Sequence, residues 1–373
     1  NYVDDVDAVI SVPTKNMDAI KSNCTNNTME GENANKSNVT DEGTQDWGQG
    51  LGNSGIEENC CSSQRVENVD QFVNKISFLH WNICGFIPKL DDPDFVQFIK
   101  SFDIVSLVET FVEKFESTIF HEHSCFVKPA VKLTRQGRCS GGIIVFIRKS
   151  LLPYVHPVNC VSDYCLAFML DKAFFGFRKN VLLLCAYVPP ENAPYYSMTG
   201  FENGVDMLEE CVTEKFMSYD DVDLLICGDM NARTSNMFPE ILHECDLHVS
   251  HKTSDESKKS QRCSEDRVLN SYGKRLLSMC TVLGIGIFNG VCNGDSEGRF
   301  TYISHVGNGV NDNILASVNV FEVLSKRITL NVEERFESDH LPLTLNIEKP
   351  NKEVCTNVDL SLQNRQFIAK YYW

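Results

Sequence analysis

The sequence predicts an α/β protein made of two packed β-sheets with helices on their outer faces. Three observations carry that prediction. Strand-like apolar runs outnumber helical stretches, the two kinds are interleaved along the chain, and no internal repeat period is evident. A chain of 373 residues with 42% hydrophobic content can also bury a substantial core, and one large domain with tails is the natural division.

The elements follow in order. Residues 1–70 are rich in Asn, Ser, Asp and Glu and show little periodicity between 23 and 59, so they are expected to form a mobile acidic segment. Sequons at Asn23, Asn26, Asn35 and Asn38 would matter only on a secretory route. From residue 75 the texture changes. Residues 76–83 read as a strand, 94–101 as a short helix and 104–108 as a buried strand. Residues 141–148, 165–170, 181–188 and 223–227 are further strand candidates, while 201–216 and 270–281 have helical spacing. Residues 285–288, 299–303, 312–316 and 341–347 complete a strand-rich second half, with 251–267 expected as a polar surface loop. The domain is thus placed at 75–348, with 349–373 as an extension or the start of a linker.

The formal charge is −17; residues 1–75 hold 13 acidic and 5 basic residues, and the remainder carries a net −9. That balance argues against strong non-specific affinity for nucleic acid, although it leaves room for a local basic cleft. Sixteen cysteines without a Cys-x-x-Cys pair, several inside apolar runs (Cys84, Cys185, Cys227), suit reduced thiols in an intracellular compartment better than a disulfide framework. The N-terminal residues resemble no signal peptide, and no apolar stretch approaches the roughly 18–20 residues of a membrane helix. The ending Tyr371-Tyr372-Trp373 and the missing initiator Met suggest a piece of a longer polyprotein.

Five short segments carry the chemistry: Trp81-Asn82, Val108-Glu109-Thr110, Gly228-Asp229-Met230-Asn231, Asn311-Asp312-Asn313-Ile314 and Ser338-Asp339-His340. Each ends or follows an apolar run, so strands would deliver carboxylates, amides and one imidazole to a common rim. A carboxylate at the end of a buried strand, such as Glu109, is costly unless a cation or donor accompanies it. Asn82 could bind a metal-bound water or hydrogen-bond that Glu. Asp229 and Asn231, two apart, would project to one side, with Gly228 letting the backbone approach. His340 could stabilise phosphoryl charge or act as an acid, with Asp312 as its holder. This inventory suits a divalent cation, an activated water and a phosphodiester.

In order, Trp81-Asn82, Glu109-Thr110, Tyr187-Val188-Pro189, Gly228-Asp229-Met230-Asn231-Ala232-Arg233, Asp312-Asn313-Ile314-Leu315 and Ser338-Asp339-His340 resemble the motifs of the endonuclease/exonuclease/phosphatase superfamily, over residues 75–348. Arg138-Cys139-Ser140-Gly141-Gly142, the run 270–277, and Phe288-Asn289-Gly290 before Arg299-Phe300-Thr301 look most like the endonuclease domains of non-LTR (LINE-type) retrotransposons. The resemblance implies a four-layer, DNase I-like α/β sandwich, two mixed sheets flanked by helices, with its active site at the rim between the sheets. It implies Glu109 as the principal Mg²⁺ ligand (Mn²⁺ being the alternative ion), with Asn82 and Asp339 nearby. Asp229 would orient or deprotonate water, Asn231 and Tyr187 would contact the phosphate, and His340 held by Asp312 would stabilise the transition state. The implied reaction leaves 3′-hydroxyl and 5′-phosphate ends on DNA in the nucleus, the 3′ end priming a reverse transcriptase domain of the same polyprotein.

Two positions depart from the pattern. Cys84 stands where apurinic/apyrimidinic endonucleases usually carry an acidic residue, which points away from base-excision repair. Asn311 and Asn313 flank Asp312 where apolar and aromatic residues are usual, so the strand positioning it is more polar and activity is expected to be weaker. Rival expectations are another phosphoesterase of the same fold, acting on abasic DNA, RNA or small phosphoesters, and a catalytically silent, transposon-derived binding domain. The basic cluster Lys128, Lys132, Arg135, Arg138, Arg148 and Lys149 is a candidate DNA-backbone patch, with Arg138, Lys132 and Arg135 its nominated contacts. Tyr195-Tyr196 could stack on a base or pack on its own loop. The His- and Cys-containing stretches 121–125 and 243–251 are better explained as surface loop and helix than as zinc sites.

Overall fold

A computed structural model describes residues 75–349 except 117, 134, 161, 240–261 and 325–326. Two six-stranded sheets face each other. The first has the order β13 (Ile328–Val332), β14 (Leu343–Glu348), β1 (Lys75–Asn82), β2 (Ile104–Val108), β4 (Ile143–Arg148), β3 (His123–Lys128). The second runs β5 (Val155–Val158), β6 (Cys165–Leu170), β7 (Asn180–Tyr187), β8 (Val222–Asp229), β12 (Asp312–Ser317), β9 (Ile285–Ile287). Both sheets are mixed, with one parallel pair at the centre of each: β1 with β2, and β7 with β8. A separate hairpin joins β10 (Tyr302–Ser304) to β11 (Gly307–Gly309).

Three apolar clusters define four layers. Inward-facing residues such as Phe78, Ile104, Val145, Leu183, Cys227 and Ile314 fill the space between the sheets. Leu79, Trp81, Val105 and Phe146 leave the other face of the first sheet and pack on Phe95 and Ile99 of α1 (Pro93–Lys100). Leu182, Leu184, Leu224 and Ile226 do the same for the second sheet, against α4 (Gly204–Ser218) and α5 (Ser271–Leu283). Central strands buried on both faces have no polar alternation to show, which is why they read as continuous apolar runs. The helices begin where the sequence supplies caps. Asp92 accepts from the Asp94 and Phe95 amides ahead of Pro93, Asn203 caps α4, and Asn270 accepts from the Gly273 amide at 2.7 Å. Gly284 ends α5 in the left-handed region. Shorter helices are α2 (Lys172–Phe175), α3 (Tyr196–Thr199) and α6 (Val318–Leu324).

The expected two-sheet sandwich with helices outside is the architecture found, with several local corrections. Strands β3, β5 and β13 lie at or beside sheet edges and escaped the pattern; β5 contains Pro157, tolerated only because it is an edge strand. The strand expected at 141–148 begins at Ile143, because Gly141 and Gly142 turn with φ of 67° and 85°. The strand expected at 299–303 lies instead at Tyr302–Ser304, in the hairpin. The helix expected from 201 starts at Gly204, after its Asn203 cap. The expected surface loop holds in part over its described residues: 262–267 have no regular structure and Cys263, Glu265 and Arg267 are exposed, but Arg262, Ser264 and Asp266 are buried. The Arg262 guanidinium donates to Asn289 O, Thr234 Oγ1, Ser235 O and Met237 O, so a charged residue there ties loops together from inside. Residues 251–261, the 243–251 stretch, 1–70 and 350–373 lie outside the described residues.

Candidate active site

The period of two along each strand builds the site. Ile76 and Phe78 of β1 point into the inter-sheet core, and the next residues on that face are His80 and Asn82. Cys185 of β7 is followed by Tyr187, Cys227 of β8 by Asp229, and Ile314 of β12 is preceded by Asp312. The polar residues thus continue the apolar core to the rim, where the two parallel pairs end side by side. In the register, Tyr187 lies opposite Asp229, and Asp229 opposite Asp312.

Asn82, Tyr187, Asp229, Asp312 and His340 are all buried, and Glu109 is half-buried. His340 Nδ1 lies 2.7 Å from Asp312 Oδ2, and its Nε2 3.9 Å from Asp229 Oδ2. Asn82 Nδ2 donates to Asp229 Oδ2 at 2.9 Å, and the Asn231 amide N–H donates to Asp229 Oδ1 at 2.9 Å. Tyr187 OH donates to Glu109 Oε1 at 2.5 Å. Glu109 and Asn231 both have left-handed backbone, φ 50° and 47°, a conformation uncommon for such residues and frequent at constrained sites. Trp81 Nε1 donates to His340 O, and Ser338 Oγ to Asn82 O, so the last segment is pinned to β1.

Electrostatics divides the roles. Burial works against charge on His340, but the Asp312, Asp229 and Asp339 carboxylates outweigh it and push the imidazolium up to about 10. Burial likewise opposes ionisation of Asp312, and the imidazoles of His340 and His80 overcome it, holding the carboxyl well below the usual range. Asp229 goes the other way: burial, reinforced by Asp312 and Glu109, raises it to about 7 against the pull of His340. Burial and then Glu109 push the Tyr187 phenol well up, so it stays a donor.

Some details differ from expectation. Asn82 hydrogen-bonds Asp229 rather than Glu109, and its Oδ1 accepts from the Cys84 amide. The strand ends at Asp229, so Asn231 does not project beside it as a strand neighbour; its Nδ2 turns to Val188 O at 2.8 Å. Asp339 is exposed and joins the group through its field on His340. The backbone beside Asp312 is well tied, although among the described residues Asn311 Oδ1 and Asn313 Oδ1 are buried without a hydrogen-bond partner. Thr301 Oγ1 accepts from the Asn311 and Asp312 amides, Asn289 bonds β12 on both sides of Asn313, and Asn313 Nδ2 donates to Asn311 O. Side chains from a neighbouring loop thus supply the positioning that apolar flanks were expected to give.

The basic cluster is not one patch. Arg138 is exposed and stacks over the Phe111 ring at 4.0 Å, two residues beyond Glu109. Lys132 and Arg135 lie exposed in the same loop, which the Val131–Ser140 bridge closes; the Lys132 ammonium folds back on Gly137 O. Arg148 instead lies at the far end of β4, ion-paired with Asp103 and Glu122, and Lys128 donates to Cys160 O. Tyr195 and Tyr196 are packed, with Tyr196 OH donating to Pro189 O, so they offer no stacking platform. His123 is bonded to Phe102 O while His121 is exposed. Sequence reasoning missed His80, whose Nε2 sits 3.6 Å from Asp312 Oδ1 and Nδ1 3.3 Å from Ser106 Oγ. Its place two residues before Asn82, on the same strand face, was the available signal.

Asp229, Asp312 and His340 lie close enough to hold an ion among themselves. Asp312 already engages His340 Nδ1, so only Nε2, 3.9 Å from Asp229 Oδ2, is left on the imidazole within this trio. The donor set around Glu109 does fit a hard divalent cation. Glu109 acts on Asp229, and Asp312, Asp229 and Asp339 act on the His340 imidazolium, so the rim gathers hard carboxylate oxygens of the kind a divalent cation takes.

No protein-family model matches the chain, and none of the curated proteins matches it. Among solved structures it is similar to the AP endonuclease LMAP from Leishmania major, at 14% identity over 74% of this chain and 89% of that one, TM-score 0.49. It is similar to the APE2 catalytic domain from Xenopus laevis, at 13% identity over 74% and 94%, TM-score 0.48. It is also similar to the endonuclease domain of TRAS1, a telomere-specific non-LTR retrotransposon, at 14% identity over 74% and 99%, TM-score 0.43.

Proposed function

We propose that this chain is a divalent-metal-dependent phosphodiesterase of the endonuclease/exonuclease/phosphatase superfamily, and that it nicks one strand of DNA in the nucleus to leave a 3′-hydroxyl for a reverse transcriptase domain. The observation that carries the reading is the pairing of opposite protonation behaviour on one rim: a histidine held protonated by Asp312, 3.9 Å from a carboxyl raised to about 7. An acid and a base that close suit attack of water on a phosphodiester.

Glu109 and Asp339, with Asn82 beside them, would hold Mg²⁺, the ion best matched to carboxylate and amide oxygens that keep several waters. When bound, the ion polarises the phosphoryl oxygens and offsets the site's negative charge. Asp229, fixed by the Asn82 amide and the Asn231 N–H, accepts the proton of the attacking water. His340 donates from Nε2 to the phosphoryl oxygen on which charge develops. Tyr187 orients Glu109, and Arg138, with Lys132 and Arg135 on the same loop, meets the flanking backbone phosphates.

Supercoiled plasmid tests this. With Mg²⁺ the purified chain yields open circles; EDTA and Glu109→Ala abolish them. Tyr187→Phe, which leaves Glu109 without its donor, lowers apparent Mg²⁺ affinity or turnover by about 10–100-fold. Cleavage confined to duplexes carrying an abasic site would move the substrate to damaged DNA, and no cleavage by folded protein would overturn the assignment.

A further inference from the structure

Three sulfurs meet on the outer side of the second sheet, apart from the rim. Cys160 in the segment after β5, Cys165 at the first position of β6 and Cys211 in α4 bring their Sγ atoms within 4.8 Å of one another, with Cys160 and Cys211 3.1 Å apart. All three are free thiols. Cys165 and Cys211 are buried and Cys160 is half-exposed, so the cluster is a cup with one mouth. Its members come from three separate elements, and no motif marks them.

A buried cysteine is ordinarily a small hydrophobe surrounded by apolar groups. Here two ammonium groups attend the sulfurs. Lys215 lies one helical turn after Cys211, is 5% exposed among the apolar residues of α4, and feels Cys160 and Cys211 as well as its neighbour Glu214. Lys128 reaches the Cys160 carbonyl at 3.0 Å. Lys215 is ion-paired with Glu214 at 2.9 Å, and its positive field also reaches Cys160 and Cys211, which favours thiolates there without requiring them.

We propose that Cys160, Cys165 and Cys211 bind one Zn²⁺ ion as a structural site. Zinc sits about 2.3 Å from thiolate sulfur, so sulfurs sharing an ion are at most about 4.6 Å apart, and small rotations of the side chains bring all three to it. Three thiolates and Zn²⁺ carry a net single negative charge, which the fields of Lys128 and of the Glu214-paired Lys215 offset in part. Binding releases the remaining thiol protons to solvent and changes no oxidation state. Among the described residues no fourth side chain joins the three thiols, so water would complete the coordination. The site clamps α4 and the Cys160 segment to the edge of β6.

The test is a titration of the full chain, reduced and stripped of metal, with Co²⁺ as the probe and Zn²⁺ as competitor. One equivalent of Co²⁺ gives thiolate charge-transfer and tetrahedral d–d absorption, Zn²⁺ displaces it, and Zn²⁺ raises Tm. Cys160→Ser, at the half-exposed position where the fold tolerates change, and Cys211→Ser each weaken binding by at least about 10-fold. Glu109→Ala and Cys263→Ser leave it intact, which separates the site from the rim and from exposed thiols. Absence of the bands, their survival in Cys160→Ser, or a Cys160–Cys211 disulfide in protein purified anaerobically with thiols blocked overturns the proposal.

Discussion

His340→Ala lowers the rate of plasmid nicking by about 10²–10⁴-fold, the range of a lost general acid and charge donor. The physical basis is its protonation. An imidazole with an ordinary pKa near 6.5 is mostly neutral at physiological pH. Asp312 at 2.7 Å, with Asp229 and Asp339, holds this one charged up to about 10. The wild-type acid limb, where Asp229 ionises, therefore lies below about 7 once a cation at Glu109 relieves its charge, and activity holds until His340 deprotonates near 10. Asp312→Asn removes one of the charges that raise Asp229, so the acid limb shifts too, and loss of the nearest carboxylate to His340 moves the alkaline limb to lower pH. A profile in which Asp312→Asn scales the rate without moving that limb would assign His340 a different job. Mg²⁺ affinity, measured separately, stays near wild type in both variants because neither removes Glu109.

The strand skeleton of this site was legible because its polar residues interrupt apolar runs. Leu224-Leu225-Ile226-Cys227 announces a buried strand, and Gly228-Asp229 at its end has no reason to be apolar or exposed. What the one-dimensional pattern hid was direction. Asn231 follows Asp229 by two residues, which in a strand means the same face, but a left-handed φ of 47° turns its amide to Val188 instead. Asn311 and Asn313 looked like damage to the strand holding Asp312; Thr301, from an earlier loop, takes the Asn311 and Asp312 amides, and Asn289 bonds Asp312 O and the Ile314 amide, pairings that spacing does not encode. Edge strands such as β5, short and containing Pro157, lack the signal altogether. The Cys160, Cys165 and Cys211 cluster was invisible for the same reason: a helix, a strand and a loop meet only in the folded chain.

Asp229→Asn separates function from stability, with opposite signs. Activity falls by at least about 10²-fold, since an amide cannot accept the proton of water. Stability rises. The native carboxyl titrates at about 7 against an ordinary value of 3.8, so between those pH values the folded state binds more protons than the unfolded chain. Stability therefore declines as pH increases through that interval, and the full cost of the buried charge, on the order of a few kcal/mol, is present above about 7. The amide removes that cost. It keeps an oxygen for the Asn231 N–H but sets one NH₂ against that of Asn82, forfeiting roughly 1 kcal/mol. The net gain at pH 8 without metal raises Tm by roughly 2–4 °C per kcal/mol. At pH 4 both side chains are largely neutral, and the difference shrinks towards zero. Adding Mg²⁺ narrows the gap at pH 8 as well, because a cation at Glu109 relieves the Asp229 charge in wild type alone. A Tm that drops by the same amount at both pH values would mean that Asp229 is held for packing, and that the rim carries no stored electrostatic cost to spend on chemistry.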